Sequence, residues 1–189
     1  GKASVFPHVK TRDPTFRSLM NTLFPIFVKM NQIQTLLVGA GPVGLEKLQA
    51  IFRSSPLAKV KIVAEQVIPE VLEFIADKET VQLERRSFKE SDLDEKELVV
   101  VASNNPELNK QIRDLTIKRN ILLNVADKPD LCDFYLGSIV QKGNLKIGIS
   151  TNGKSQTMAK RLKEFFNEVL PEEIDETLEL LQAFRNQLR

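Results

Sequence analysis

Thr35-Leu36-Leu37-Val38-Gly39-Ala40-Gly41-Pro42-Val43-Gly44 decides the fold of this chain. An apolar run that stops at G-x-G-x-x-G and passes into helical periodicity opens a dinucleotide-binding βαβ unit. Gly39 makes the tight turn, Gly41 lets the backbone approach a pyrophosphate, and Gly44 lets helix and strand pack closely. Pro42 and Val43 begin the helix, whose N-terminus presents unpaired N–H groups and a positive dipole end. Leu45, Leu48 and Phe52 continue at helical spacing until the Ser54-Ser55-Pro56 break. The same glycine spacing also occurs in strand–helix turns that bind nothing.

The chain has 189 residues, enough for one ordinary domain or two small ones, with a substantial core. Its 42% hydrophobic and 28% charged residues are those of a soluble globular protein. No apolar run is long enough to span a bilayer and no secretory pattern opens the sequence, so no membrane partner is expected. Cys132 is the only cysteine, which excludes an internal disulfide and points to a reducing compartment, the cytoplasm. A net charge of +2, with both signs mixed throughout, gives no footprint for nucleic acid. Lys142, Lys146, Lys154, Lys160, Arg161 and Lys163 form a local basic excess, read either as a solvated face or as a site for a polyanionic ligand.

Residues 1–25, with Pro7, Pro14 and Pro25, read as an N-terminal arm. Strands are then expected at Gln34–Gly39, Lys59–Ala64, Val81–Arg85, Leu98–Ala102 and Ile121–Ala126. The helices between them are Val43–Ser54, Val67–Asp77 and one from Pro106 to Arg119. This alternation predicts an α/β fold, a Rossmann-type parallel sheet over residues 26–128 with helices on both faces. After Pro129 the pattern changes. Phe134–Val140 and Leu145–Ser150, joined by Gln141-Lys142-Gly143-Asn144, predict an antiparallel hairpin within residues 129–153. Residues 154–189 predict a small helical C-terminal domain, with Met158, Leu162, Phe165 and Val169 on one helix and Ile174, Leu178, Leu181, Phe184 and Leu188 on the next. This tail is too small to bury itself, so it is expected to pack either on the nucleotide domain or on a second copy, the second copy being favoured.

Ligands of open parallel sheets bind at the carboxyl ends of the strands. Those ends carry the glycine turn, Glu65 and Gln66, Ala102 and Ser103 with Asn104, and Asp127. Glu65 stands where a carboxylate would take the adenosine ribose hydroxyls, favouring NAD over NADP. Ser103 and Asn104 can bond the nicotinamide-side ribose or a substrate, and can equally cap the helix that Pro106 opens. His8, the only histidine, lies in the arm, which leaves no His–Cys metal cluster and no Ser–His–Asp triad. Cys132 reads as a small buried residue. The remaining chemistry is that of a cofactor.

Four segments carry a resemblance to a known family. Phe24-Pro25-Ile26-Phe27-Val28 resembles the L-P-I-F lead-in of precorrin-2 dehydrogenases, the siroheme synthase family, and the glycine turn with Lys47 resembles its first βα unit. Asn124-Val125-Ala126-Asp127-Lys128-Pro129-Asp130-Leu131-Cys132-Asp133-Phe134 is similar to its N-V-A-D-x-P-x-L-C-D-F segment. Ile149-Ser150-Thr151-Asn152-Gly153-Lys154-Ser155 is similar to its I-S-T-x-G-x-S loop. The resemblance runs in order through residues 24–188.

It implies NAD-dependent oxidation of precorrin-2 to sirohydrochlorin, a step towards siroheme and in some organisms cobalamin, by a homodimer joined after Asp127. Some members also insert the metal, and some are fused to a methyltransferase. The chain is expected to be the stand-alone form. It departs from the pattern at Asn104, where the family has an aspartate implicated in catalysis and chelation, and at Gln156, where proline is usual. Dehydrogenation without efficient chelation is therefore expected, with a bifunctional dehydrogenase/ferrochelatase or a non-catalytic sensor of NAD or tetrapyrrole as alternatives. Asn104 and Asp127 are the expected catalytic residues, Asp127 being the nearest carboxylate by topology for the released proton and solvent an equally good acceptor. The Ser150-Thr151-Asn152-Gly153-Lys154-Ser155 loop and Lys160 are expected to meet substrate carboxylates, together with Lys142 and Lys146 of the hairpin.

Overall fold

Leu36, Leu37, Val38 and Ala40 are all buried because β1 (Gln34–Ala40) lies at the centre of a five-stranded parallel sheet. The computed structural model describes residues 21–188; Pro7, His8 and Pro14 lie outside them. The other strands are β2 (Lys59–Val67), β3 (Val81–Glu84), β4 (Leu98–Val101) and β5 (Leu122–Val125), in the order β3-β2-β1-β4-β5. Such parallel neighbours need crossovers, supplied by α1 (Pro42–Ser54), α2 (Pro69–Ile75) and α3 (Pro106–Arg119). Alternate residues of β1 serve opposite faces. Leu37 packs with Leu48, Ile51 and Phe52 of α1 and Val71 of α2, whereas Leu36 and Val38 pack with Ile112 of α3. Each fully buried Leu or Val contributes about 2 kcal/mol of transfer free energy. The expected doubly covered parallel sheet is what forms.

The boundaries differ from expectation at β2. The strand runs on through Ala64, Glu65 and Gln66 to Val67, and its pairing with β1 shifts register between Val38 and Ala40. Ile68 N–H then donates to the Ala40 carbonyl at 3.1 Å, so Ala40 keeps β2 extended beyond the point where its sequence turns polar. The helix expected from Val67 starts at Pro69, the first helical position that proline favours, and ends at Ile75.

The hairpin strands are β6 (Ser138–Lys142) and β7 (Leu145–Ile149), antiparallel. Lys142 pairs with Leu145, so the connection is only Gly143-Asn144 and not the four residues expected. Gly143 has φ +52°, and a Cβ there would collide with the Asp175 carboxylate. Two helices follow, α4 (Gln156–Val169) and α5 (Ile174–Gln187). Asp175 of α5 accepts from the Asn144 N–H at 2.6 Å and from its Nδ2 at 2.9 Å, which docks the start of α5 on the hairpin tip. Among the described residues no helix is long and apolar enough to cross a membrane.

Candidate functional site

The glycine turn separates two physical roles. Gly39 has φ +100°, and a Cβ there would overlap the Ala102 carbonyl where β4 ends. A Cβ on Gly44 would meet the Gly39 carbonyl oxygen at 2.5 Å. Both glycines are thus dictated by contacts inside the protein. Gly41 is different, since a Cβ there would meet nothing within 4 Å. Gly41 is also the N-cap of α1 and offers no side chain to its first amides, Pro42 follows at N1, and no acidic residue stands in the first turn. Open space beside Gly41 and uncapped N–H groups fit a dinucleotide pyrophosphate.

Across the sheet a cavity of about 190 Å³ opens between the ends of β4 and β5 and the starts of α1 and α3. Its wall brings together Val43, Ala102, Ser103, Asn104 and Asp127, five of the residues singled out from sequence. The helix cap is a correction: Asn105, not Ser103 or Asn104, accepts from the Leu108 N–H at 3.1 Å. Ser103 Oγ accepts from the Asn105 N–H at 3.0 Å, and the exposed Asn104 side chain is left at the mouth. Asn109 also lines the cavity and is 2% exposed. Sequence reading missed it, because an asparagine one turn into a helix looks solvated.

Asp127 adopts φ +57°, a left-handed conformation held from below by Cys132. The Cys132 sulfur accepts from the Val125 N–H at 3.2 Å and lies 3.2 Å from the Val125 and Lys128 carbonyls, to one of which it donates. Burial pushes the thiol pKa up, so it stays protonated in this bridging role. Asp133 fastens the same segment, bonding Arg113 at 2.6 Å and the Leu123 N–H at 3.0 Å.

Glu65 and Gln66 occupy the exposed end of β2 rather than a loop after it, and Glu65 accepts a hydrogen bond from the Ser87 hydroxyl. They do not line the cavity, and neither do Ser150–Ser155 or Lys160. The Ser150–Ser155 loop is closed on itself. Thr151 Oγ1 accepts from the Ser155 N–H at 3.2 Å, and Ser155 Oγ caps α4 by accepting from Met158 N–H at 3.1 Å. Lys154 and Lys160 are exposed. Lys142 and Lys146, expected to face a polyanion, are engaged within the chain instead. Lys142 pairs with Glu172, and Lys146 donates to the Ser54 carbonyl at the negative end of α1.

A turn of this geometry at the centre of this sheet defines a Rossmann-type dinucleotide-binding protein. Residues 26–138 match the family model NAD_binding_7, an NAD(P)-binding family, and the chain belongs to that family. It is 33% identical over 170 residues to a siroheme synthase of Vesicomyosocius okutanii subsp. Calyptogena okutanii, covering 90% of this chain and 36% of that protein. A siroheme synthase of Baumannia cicadellinicola subsp. Homalodisca coagulata is 33% identical over 165 residues, covering 87% and 35%. The chain therefore spans about a third of the length of these relatives. The solved structure of SirC, precorrin-2 dehydrogenase, shares the fold with a TM-score of 0.72 at 24% identity, over 86% of this chain and 79% of that one.

Proposed function

We propose that the chain oxidises precorrin-2 to sirohydrochlorin with NAD, in siroheme or cobalamin synthesis, as a cytoplasmic homodimer. The observation that carries this reading is the cavity joining Asn104 and Asp127 beside a glycine turn with open space at Gly41. The names of the siroheme synthase relatives and of the structural neighbour supply the substrate. NAD supplies the hydride acceptor.

The chain's own residues divide the remaining work. The α1 amides and Gly41 hold the pyrophosphate, and Glu65 takes the adenosine ribose hydroxyls and opposes a 2′-phosphate. Oxidation also releases a proton. Asn104 can donate and accept hydrogen bonds but cannot take that proton, whereas the carboxylate of Asp127 can. The Ser150–Ser155 loop and Lys160 meet substrate carboxylates once a second copy completes the site. Apolar side chains left exposed on α4 and α5, including Phe165, Leu181 and Phe184, support that second copy.

Asn104 favours a second reading as well, a module that binds NAD or tetrapyrrole without turnover. Enzymatically generated precorrin-2 and NAD, followed by absorbance, separates the two. NADH and the sirohydrochlorin spectrum appear together if the first is right. Folded protein that binds NAD and yields neither establishes the sensor.

A further inference from the structure

Asn109 has one amide group in use and one atom without a partner. Nδ2 donates to the Ser103 carbonyl at 3.1 Å. That bond fixes the amide orientation, since the flipped form would set two oxygens against each other. Oδ1 is fully buried and has no hydrogen-bond partner. Thr35 Oγ1 is the other such atom among the described residues, and Thr35 does not line the cavity. Buried acceptors are seldom left unpaired, so Oδ1, in a residue of the cavity wall but itself sealed from the cavity, marks a place where a donor arrives when the wall's side chains adjust around a ligand.

We propose that Asn109 is a cofactor-contacting residue whose Oδ1 accepts a hydrogen bond from the nicotinamide half of the dinucleotide. This rests on the cofactor reading above and assigns that site a residue it lacked. The placement follows from the sheet. Glu65 stands at the end of β2 and Gly41 at the end of β1, so a dinucleotide lying across the strand ends brings its second half to β4 and β5. The cavity there is about 190 Å³, below the roughly 300–1,000 Å³ of sites that enclose a whole drug-sized ligand. It suits one sugar or one pyridine ring rather than a tetrapyrrole. Donors on that half are the ribose hydroxyls and the carboxamide N–H.

Calorimetric titration of wild type, Asn109→Leu and Asn109→Ala with ADP, ADP-ribose and NAD tests the assignment. The variants should bind ADP within about twofold of wild type and bind NAD about tenfold more weakly, a loss near 1.4 kcal/mol. A parallel loss for ADP-ribose identifies a ribose hydroxyl as the donor, and a loss for NAD alone identifies the carboxamide. Unchanged NAD affinity in folded variants overturns the proposal in favour of a buried water, and an equal loss for ADP overturns it in favour of a purely structural role. Should the variants fail to fold, the Asn109 side-chain amide resonances of wild type decide. They should shift with NAD and not with ADP, and a shift absent with NAD overturns the proposal. Wild type that binds none of the three ligands removes the cofactor reading itself.

Discussion

Asp92 grips Arg86 through both carboxylate oxygens, with Arg86 Nη1 at 2.7 Å from Oδ2 and Nη2 at 2.6 Å from Oδ1. Lys61 Nζ at 3.0 Å and the Lys89 N–H at 2.8 Å complete the cage around a carboxylate that is 2% exposed. Arg86 also pairs with Glu84. A guanidinium just beyond β3, near the rim where Glu65 meets Ser87, is thereby committed to the protein. It is unavailable as a receptor for a 2′-phosphate.

Asp92→Asn should destabilise the chain by about 2 kcal/mol, because it removes the buried carboxylate that Arg86 and Lys61 share and leaves Glu84 as their remaining counter-charge. Burial alone would raise the Asp92 pKa, but the bonds from Arg86, Lys89 and Lys61 outweigh it and hold the carboxyl well below the usual range. A depressed pKa contributes stability above the unfolded value near 4, and that contribution is lost as pH falls towards the folded value. Denaturant midpoints measured through the acid range should fall in wild type below about pH 4. The component of this fall due to Asp92 should be missing in the variant.

If Glu65 takes the adenosine ribose hydroxyls as proposed, NAD should be the tighter ligand. Titration should show NADP binding at least about tenfold more weakly than NAD, and Glu65→Gln should narrow the ratio by removing charge repulsion while keeping shape. Equal affinities in wild type would remove the role assigned to Glu65.

The two kinds of glycine should fail differently. Gly39→Ala should lower thermal stability sharply, since it adds both a φ +100° strain and a backbone collision with Ala102. Gly41→Asp should leave circular dichroism and melting nearly unchanged and abolish NAD binding, as it places a carboxylate where a pyrophosphate would lie.

Metal insertion isolates Asn104. With sirohydrochlorin and Co²⁺, wild type should insert metal no faster than the spontaneous rate, because an amide cannot remove the pyrrolic protons. Asn104→Asp should raise that rate severalfold. Wild-type insertion well above background would assign the task to Asp127, since Asp133 is held by Arg113 and the Leu123 N–H away from the cavity.

What could be read from the sequence was what short-range pattern dictates. The apolar β1 and β4, the glycine turn and Pro106 opening α3 all follow from neighbours within one turn or one strand. The extension of β2 through Glu65 could not be read, because it depends on Ala40, whose carbonyl the chain meets again at Ile68. Lys142 and Lys146 looked available for the same reason. Glu172 lies 30 residues from the first, and Ser54 lies 92 residues from the second. Asn109 stayed hidden because only the packing of α3 shows that its amide turns inward.

The strand order sets a schedule for synthesis. Of the five strands of the sheet β1 is made first, yet Thr35 pairs with Val60 on one side and with Leu98 on the other. At about 5–20 residues per second, its second edge waits several seconds after translation for a partner. Through that interval Leu36, Leu37 and Val38 offer an unpaired apolar edge of the kind that seeds aggregation. Expression yield should therefore respond to growth temperature and to chaperone supply more than the stability of the finished sheet would suggest.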